Sequence, residues 1–316
     1  MRARRSVWSN EEVQKLLKEF VPCADEVWRL QNSKDPDATF FMSWCDEGGQ
    51  LNGEDDSATR QGTYICTPSG KFLGSCNSND PSRTLDVMRK ALAAYKKMEK
   101  KDRLRSDDPK EVAKQIKRSE SMYPADGLVL RCHSRDLPRE KPVAAEEWAQ
   151  KALNVDYCWF KKDEALRFMP KEPVKKLEFD VPKELITRMA RFNMVDNVRG
   201  QTDSYNAEAV KTAELKGTVK DVKKGIIYIT FKGAVKLEQD TRGMDLTLLG
   251  EAEWDTKKNW WTKFEIVCAG ERKGRTRYNF RERDEGPAPI GFVFVIAGDS
   301  PTDKVAPAYF WQYGWR

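Results

Sequence analysis

An α+β protein is the fold class that this 316-residue sequence predicts. An α/β N-terminal domain precedes an antiparallel, β-rich C-terminal domain, either a sandwich or a partial barrel. Three observations predict it. A strand–turn–strand pattern over residues 63–76 runs into an amphipathic helix. Beyond residue 213, short apolar strands succeed one another with glycine turns, as in antiparallel sheets. Between these regions, residues 96–120 are dominated by charge of both signs and read as a helix end and linker. A chain of this length is comfortable for two domains, which places the boundaries at 1–100, a charged linker or helix at 101–125, and 126–316.

The elements follow in order. Ser9-Asn-Glu-Glu12 is a capping-box pattern with Ser9 as N-cap, and the helix behind it sets Val13, Leu16, Leu17 and Phe20 on one face. Residues 20–24 read as a short strand, irregular or at an edge because of Pro22, and residues 25–31 as a helical turn. Residues 32–61 form a long polar connection interrupted by Thr39-Phe-Phe-Met-Ser-Trp-Cys45; connections of this length carry function or move. In the hairpin, Pro68-Ser-Gly70 makes the turn, with Gly70 free to take a positive φ. Asp80-Pro81 starts a helix, since proline is preorganised for the first helical position, and Leu85, Met88, Leu92 and Tyr95 mark its buried stripe. Strands are predicted at 127–133 and 155–160, and helices at 144–153 and 182–192. Further strands are predicted at 214–222, 226–231, 234–239, 246–254, 261–269, 275–280 and 290–296, with turns at 223–225 and 231–234.

Composition narrows the function classes. Hydrophobic residues make up 39% of the chain and charged residues 34%, and the net charge is only +6. So small an excess argues against nucleic acid as a partner. No run of 18 apolar residues exists, so no membrane-spanning helix is expected. The basic start has no apolar stretch behind it, which leaves a cytoplasmic protein or an exported one with its leader removed. The cysteines (Cys23, Cys45, Cys66, Cys76, Cys132, Cys158 and Cys268) are odd in number and widely spaced, which argues against a disulfide framework. With His133 the only histidine, a zinc cluster has almost no ligands. No metal and no cofactor is expected, and no Walker, dinucleotide, nucleophile-elbow or zincin motif is present.

The N-terminal order of helix, strand, hairpin and helix resembles the thioredoxin-like superfamily with its first strand and active-site helix altered. Four segments resemble a family of uncharacterised bacterial proteins. They are Phe20-Val-Pro-Cys-Ala-Asp-Glu-Val-Trp28, Arg60-Gln-Gly-Thr-Tyr-Ile-Cys-Thr-Pro-Ser-Gly70, Ala190-Arg-Phe-Asn-Met-Val-Asp-Asn-Val-Arg-Gly200 and Ile290-Gly-Phe-Val-Phe294. The resemblance implies a degenerate thioredoxin-like part joined to a β-rich part, in a family with exported members. It carries no mechanism. No Cys-x-x-Cys is present, and Gly62 stands where the superfamily has its cis-proline. Trp44-Cys45-Asp-Glu-Gly48 imitates the redox motif with glycine at the second cysteine. Too few residues separate it from Gly62 for the helix and strand that belong between.

Cys23 and Cys45 are the candidate thiols. Each is followed by two acidic residues, which raise a thiol pKa rather than activate it. The candidate binding residues are Asp25, Trp28, Arg60 and Gln61 beside the long connection, Arg199 as an anion ligand, and Trp260, Trp261, Trp311 and Trp315. Aromatic rings among lysines stack on bases or sugars, or they simply pack a core. The tail Tyr309-Phe-Trp-Gln-Tyr-Gly-Trp315 is too apolar to stay in water and is expected to dock on the β domain or on a partner. The reading that results is a non-catalytic binding or assembly protein with a protein partner or self-association. The alternatives are a thiol oxidoreductase using Cys23 or Cys45, and a ligand-binding β domain.

Overall fold

A computed structural model describes residues 7–25, 27–48, 60–104, 108–115, 122–141, 153–303 and 305–315. The chain divides into two units, Met1–Arg118 and Ser119–Arg316. Helix α1 (Glu11–Leu17) is capped by Asn10 and not by Ser9. The Asn10 side chain accepts from the Glu12 and Val13 amides at 3.0 and 3.1 Å, as an N-cap does. Val13 is buried with Val7, Ile65, Leu85, Met88 and Ala91, and Phe20 packs against that cluster.

Residues 21–25 form no strand. Pro22 lacks the N–H that a ladder needs, and Val21 is 88% exposed. Helix α2 (Val27–Asn32) follows. The long polar connection expected over residues 32–61 is in part a helix, α3 (Pro36–Glu47). Asp35 caps α3 by accepting from the Ala38 amide at 2.9 Å, Pro36 takes the first turn, and Ala38, Phe41 and Cys45 are buried at helical spacing. Cys45 therefore sits inside a helix, so the Trp44–Gly48 segment does not present a thiol at a strand end.

Strands β1 (Thr63–Cys66) and β2 (Phe72–Cys76) pair antiparallel with a register shift after Ile65. Gly70 has φ +88°, and a Cβ there would lie 2.6 Å from the Phe40 ring, so the turn needs glycine. Helix α4 (Pro81–Lys97) begins at Asp80, whose side chain accepts from the Ser82 amide, and buries Thr84, Leu85, Met88 and Ala91. The charged stretch beyond it holds two short helices, α5 (Lys100–Arg103) and α6 (Pro109–Gln115). Among the described residues, this hairpin is the first unit's sheet.

The second unit is built on one eight-stranded antiparallel sheet, in the order β4-β3-β10-β9-β8-β7-β6-β5. Its strands are β3 (Leu128–Asp136), β4 (Leu153–Phe160), β5 (Glu178–Asp180), β6 (Val210–Lys223), β7 (Ile226–Gln239), β8 (Arg242–Asp255), β9 (Trp260–Lys273) and β10 (Ala288–Ile296). A sandwich would need two such sheets. The end strands β4 and β5 do not pair with each other, so the sheet stays open.

Two details differ from the sequence pattern. Residues 231–234 are not a turn but lie inside the continuous strand β7. Gly233 is there because a Cβ would fall 2.1 Å from the Glu214 carbonyl oxygen on β6. Residues 275–280 belong to an irregular loop between β9 and β10. The helix expected over 144–153 falls outside the described residues except at its last position, where Leu153 begins β4.

Helix α7 (Lys162–Leu166) follows β4, and helix α8 (Lys183–Phe192) follows β5. Leu185, Ile186, Met189 and Ala190 of α8 are buried in one cluster with inward residues from both flanks of the sheet. These include Leu130 and Phe160 near one edge and Val219 and Ile229 near the other. Strand alternation supplies that face: β8 reads Met244, Leu246, Leu248 inward and Asp245, Thr247, Leu249 outward. Each large side chain buried this way contributes about 1.5–3 kcal/mol. No helix among the described residues is long and apolar enough to cross a membrane.

Candidate functional site

Among the described residues strand β4 is an edge strand, and an unpaired edge invites other strands. The C-terminal tail covers it. Phe310 is buried with Val129, Tyr157 and Trp159, and Trp311, Tyr313 and Trp315 pack against them. The ring of Trp159 lies 5.1 Å from that of Phe310 and 4.9 Å from that of Tyr123. Trp159 and Phe160 are neighbours on β4 and face opposite sides. The tail reaches both sides, since the Arg188 guanidinium lies 5.0 Å from the rings of Phe160 and Tyr313 and 5.4 Å from that of Trp315. Glu164 accepts from Arg188 Nη1 at 2.9 Å and fixes it there. Asp156 holds the strap at a second point, accepting from the Ala308 amide at 2.9 Å and from Asn193 Nδ2 at 3.1 Å.

Where the tail ends, a cleft of about 600 Å³ opens, lined by Met122, Tyr123, Asp126, Lys161, Lys162 and Trp315. Two short segments wall it. Residues 122–126 are held by the Gly127 amide donating to the Pro124 carbonyl at 2.7 Å. The start of α7 is held by Glu164 accepting from the Lys161 amide at 2.9 Å. Lys161 Nζ stands 5.0 Å over the Trp315 ring, and Lys162 Nζ is 3.8 Å from Asp126. The cleft thus presents aromatic surface with paired charges at its rim, a surface that stacks on a flat apolar group while satisfying polar ones.

Arg199 lies elsewhere, in a buried ion network at one end of the sheet. Arg139, Arg199, Arg272 and Arg281 meet Asp136, Asp196 and Asp284. Arg199 Nη2 is 3.0 Å from both Asp136 and Asp284, so its charge is already committed within the protein. Burial pushes the Asp284 carboxyl up. The hydrogen bonds from Arg139 and the charges of Arg272, Arg139 and Arg199 outweigh burial and hold it at about 2. Asp136 is held down in the same way against its burial, by Arg281, Arg199 and Arg272. Arg272, 1% exposed, is pushed down by burial and by the neighbouring Arg281. The sequence marks Arg199 and Asp196 but not that they share one network, because its members come from β3, β9 and the loops after α8 and β9.

The other candidates are dispersed. Cys23 is exposed. Cys45 is buried, and burial pushes its thiol up; its Sγ donates to the Tyr64 hydroxyl at 3.2 Å, while that hydroxyl donates to the Arg60 carbonyl at 2.7 Å. Asp25 pairs with the buried Arg29, which also reaches Asp35 at 2.6 Å. Gln61 is exposed at the start of the hairpin. Trp28 is in α2, and its side chain lies outside the described residues. Trp261 is core, donating its Nε1–H to the Ala165 carbonyl at 3.2 Å, and Trp260 packs against the same core half-buried. Trp311 and Trp315 alone among the tryptophans named in the sequence belong to the strap beside the cleft. Among the described residues, no group of His, Cys, Asp and Glu is arranged to hold a metal ion.

No family model, curated protein or solved structure matches this chain.

Proposed function

We propose that the protein is a non-catalytic binding or assembly protein whose second unit takes a protein partner in the cleft beside Trp315. Its first unit acts as a thioredoxin-like module without an adjacent dithiol. The lining of the cleft carries this reading: a half-buried indole and phenol ring at a mouth flanked by Lys161, Lys162 and Asp126. That surface suits an extended peptide with an aromatic side chain and a charge of either sign. The hairpin feeding α4 supports the thioredoxin-like reading of the first unit, and burial at Cys45 weighs against thiol catalysis there.

Two measurements test the reading. In an insulin-reduction assay the protein accelerates nothing over dithiothreitol alone. In a titration with synthetic peptides of varied charge and aromatic content, tryptophan fluorescence changes and saturates for at least one of them. The change disappears in Trp315→Ala and Lys161→Ala, both of which keep the wild-type circular dichroism. Insulin turnover, or a flat response to every peptide, sinks the proposal.

A further inference from the structure

The outer face of the large sheet carries a charge pattern that the rest of the chain does not answer. Cross-strand register sets Leu249 of β8 beside Val267 of β9, and Thr247 beside Ala269. All four are exposed, Leu249 at 53% and Val267 at 42%. The next outward pair at either end of this quartet is acidic on both strands: Glu251 with Glu265, and Asp245 with Glu271. Like charges directly opposite each other on a sheet are destabilising. Lys263 relieves Glu251 at 2.8 Å. Among the described residues, Asp245, Glu265 and Glu271 form no ion pair within the chain.

Across the strands, the same quartet is framed by bases. Lys232 of β7 stands in register with Leu249. Arg135 of β3 lies in the row of Ala269, with only Gly291 of β10 between them. Both bases are exposed, and among the described residues neither forms an ion pair. Val293 extends the apolar row of Leu249 and Val267 toward β3. From strand spacings, the acids lie about 10 Å from the centre along the strands, and the bases about 7–12 Å from it across them. The face is negative, apolar and negative along the strands, and positive, apolar and positive at right angles to them.

We infer that this face docks on the same face of a second copy of the chain, with the strands of the two sheets crossing at close to a right angle. That turn lays Glu265 and Glu271 of each copy over Lys232 and Arg135 of the other, while Leu249 and Val267 of both meet at the centre. An aligned stack would instead set acid over acid and base over base. Orthogonal packing is one of the two ways sheets stack face to face, and a surface complementary to itself gives a closed twofold pair. Any other partner would have to bring cations at this spacing around an apolar centre, and this chain already presents them. None of these residues lines the cleft beside Trp315, so the pairing is separate from peptide binding there.

The experiment is sedimentation velocity of the full chain under reductant, from micromolar concentration upward. The expected result is a monomer–dimer equilibrium that weakens as salt screens the rim charges. Two double variants, Glu265→Lys with Glu271→Lys and Lys232→Glu with Arg135→Glu, each set like charges together. Each is expected to raise the dissociation constant at least about 100-fold. An equimolar mixture of the two restores the dimer, because every reversed charge then meets its opposite, and this recovery also shows that both variants fold. Val267→Asp, a single change at an exposed position, is monomeric with the wild-type circular dichroism, whereas Trp315→Ala still dimerises. A wild type that stays monomeric at every concentration, or assembles beyond the dimer, would overturn the inference. So would dimers that persist in Val267→Asp or in either double variant, a mixture of folded double variants that stays monomeric, or loss of the dimer in Trp315→Ala.

Discussion

Arg281 and Asp196 form a buried two-point ion pair, with Nε and Nη2 of the guanidinium 2.8 and 2.7 Å from the two carboxylate oxygens. Arg281 is wholly buried, and its other edge reaches Asp136 at 2.8 and 2.9 Å. One guanidinium thus ties the segment after α8 to the end of β3. Removing one partner of such a pair leaves buried charge uncompensated, which costs more than the pair itself contributes. Arg281→Met is expected to lose about 3–5 kcal/mol of stability, read by urea denaturation. Arg275→Met, whose partner Glu285 is also at the surface, serves as control and changes stability little.

The same network sets an acid limit. Asp284 is held at about 2 and Asp136 below the usual carboxylate range, against about 3.9 for an aspartate in an unfolded chain. A carboxyl depressed on folding contributes its full stabilisation above the unfolded value and loses it as pH falls through the folded one. The second unit is expected to lose stability steadily between about pH 4 and pH 2. In Asp284→Asn, melting temperature falls less steeply over that window, as differential scanning calorimetry will show.

The strap over β4 gives a third expectation. Phe310 is 2% exposed against Trp159, and a phenylalanine-to-alanine change at such a site costs about 3–5 kcal/mol. Deleting residues 305–316 uncovers the β4 edge as well as its apolar outer face. The shortened chain is expected to self-associate, with light scattering rising at concentrations where the full chain stays clear.

Gly233 tests the continuity of β7. Alanine there sets a Cβ against the Glu214 carbonyl at 2.1 Å, and relieving that contact moves β6 and β7 apart. Overpacking of this kind costs about 1–3 kcal/mol. Lys232→Ala, one residue away and exposed, is expected to have a much smaller effect in the same chemical melts.

Thiol labelling separates the cysteines. Cys132, Cys158 and Cys268 are buried on the inner face of the sheet, and burial pushes all three thiols up, Cys158 to about 12. In reduced, folded protein near neutral pH, the exposed Cys23 is expected to alkylate within minutes. These three should stay unlabelled until denaturant is added, with mass spectrometry of timed samples as the readout.

Much of the fold was legible where the signal is local. Asp80-Pro81 and the apolar stripe behind it gave α4, Gly70 gave the hairpin turn, and the succession of strands with glycine turns gave the antiparallel sheet. The same kind of signal at Asp35-Pro36 was overlooked within a stretch read as polar connection. Gly233 reads as a turn in the sequence, which does not distinguish a glycine that bends the chain from one that lets a neighbouring strand approach. Of the candidate site residues, Trp315 lines the cleft and Trp311 packs in the strap, while Arg199 pairs charges and Trp261 packs the core inside the second unit.

What the sequence determined by itself is most of the elements, since helix and strand periods and their caps are written within a few neighbouring residues. Tertiary structure alone decided which charges meet and which edge the aromatic tail covers. Those relations join residues tens to more than a hundred positions apart, such as Asp136 with Arg281 and Asp156 with Ala308. Their energies depend on distance and burial, which no local pattern encodes.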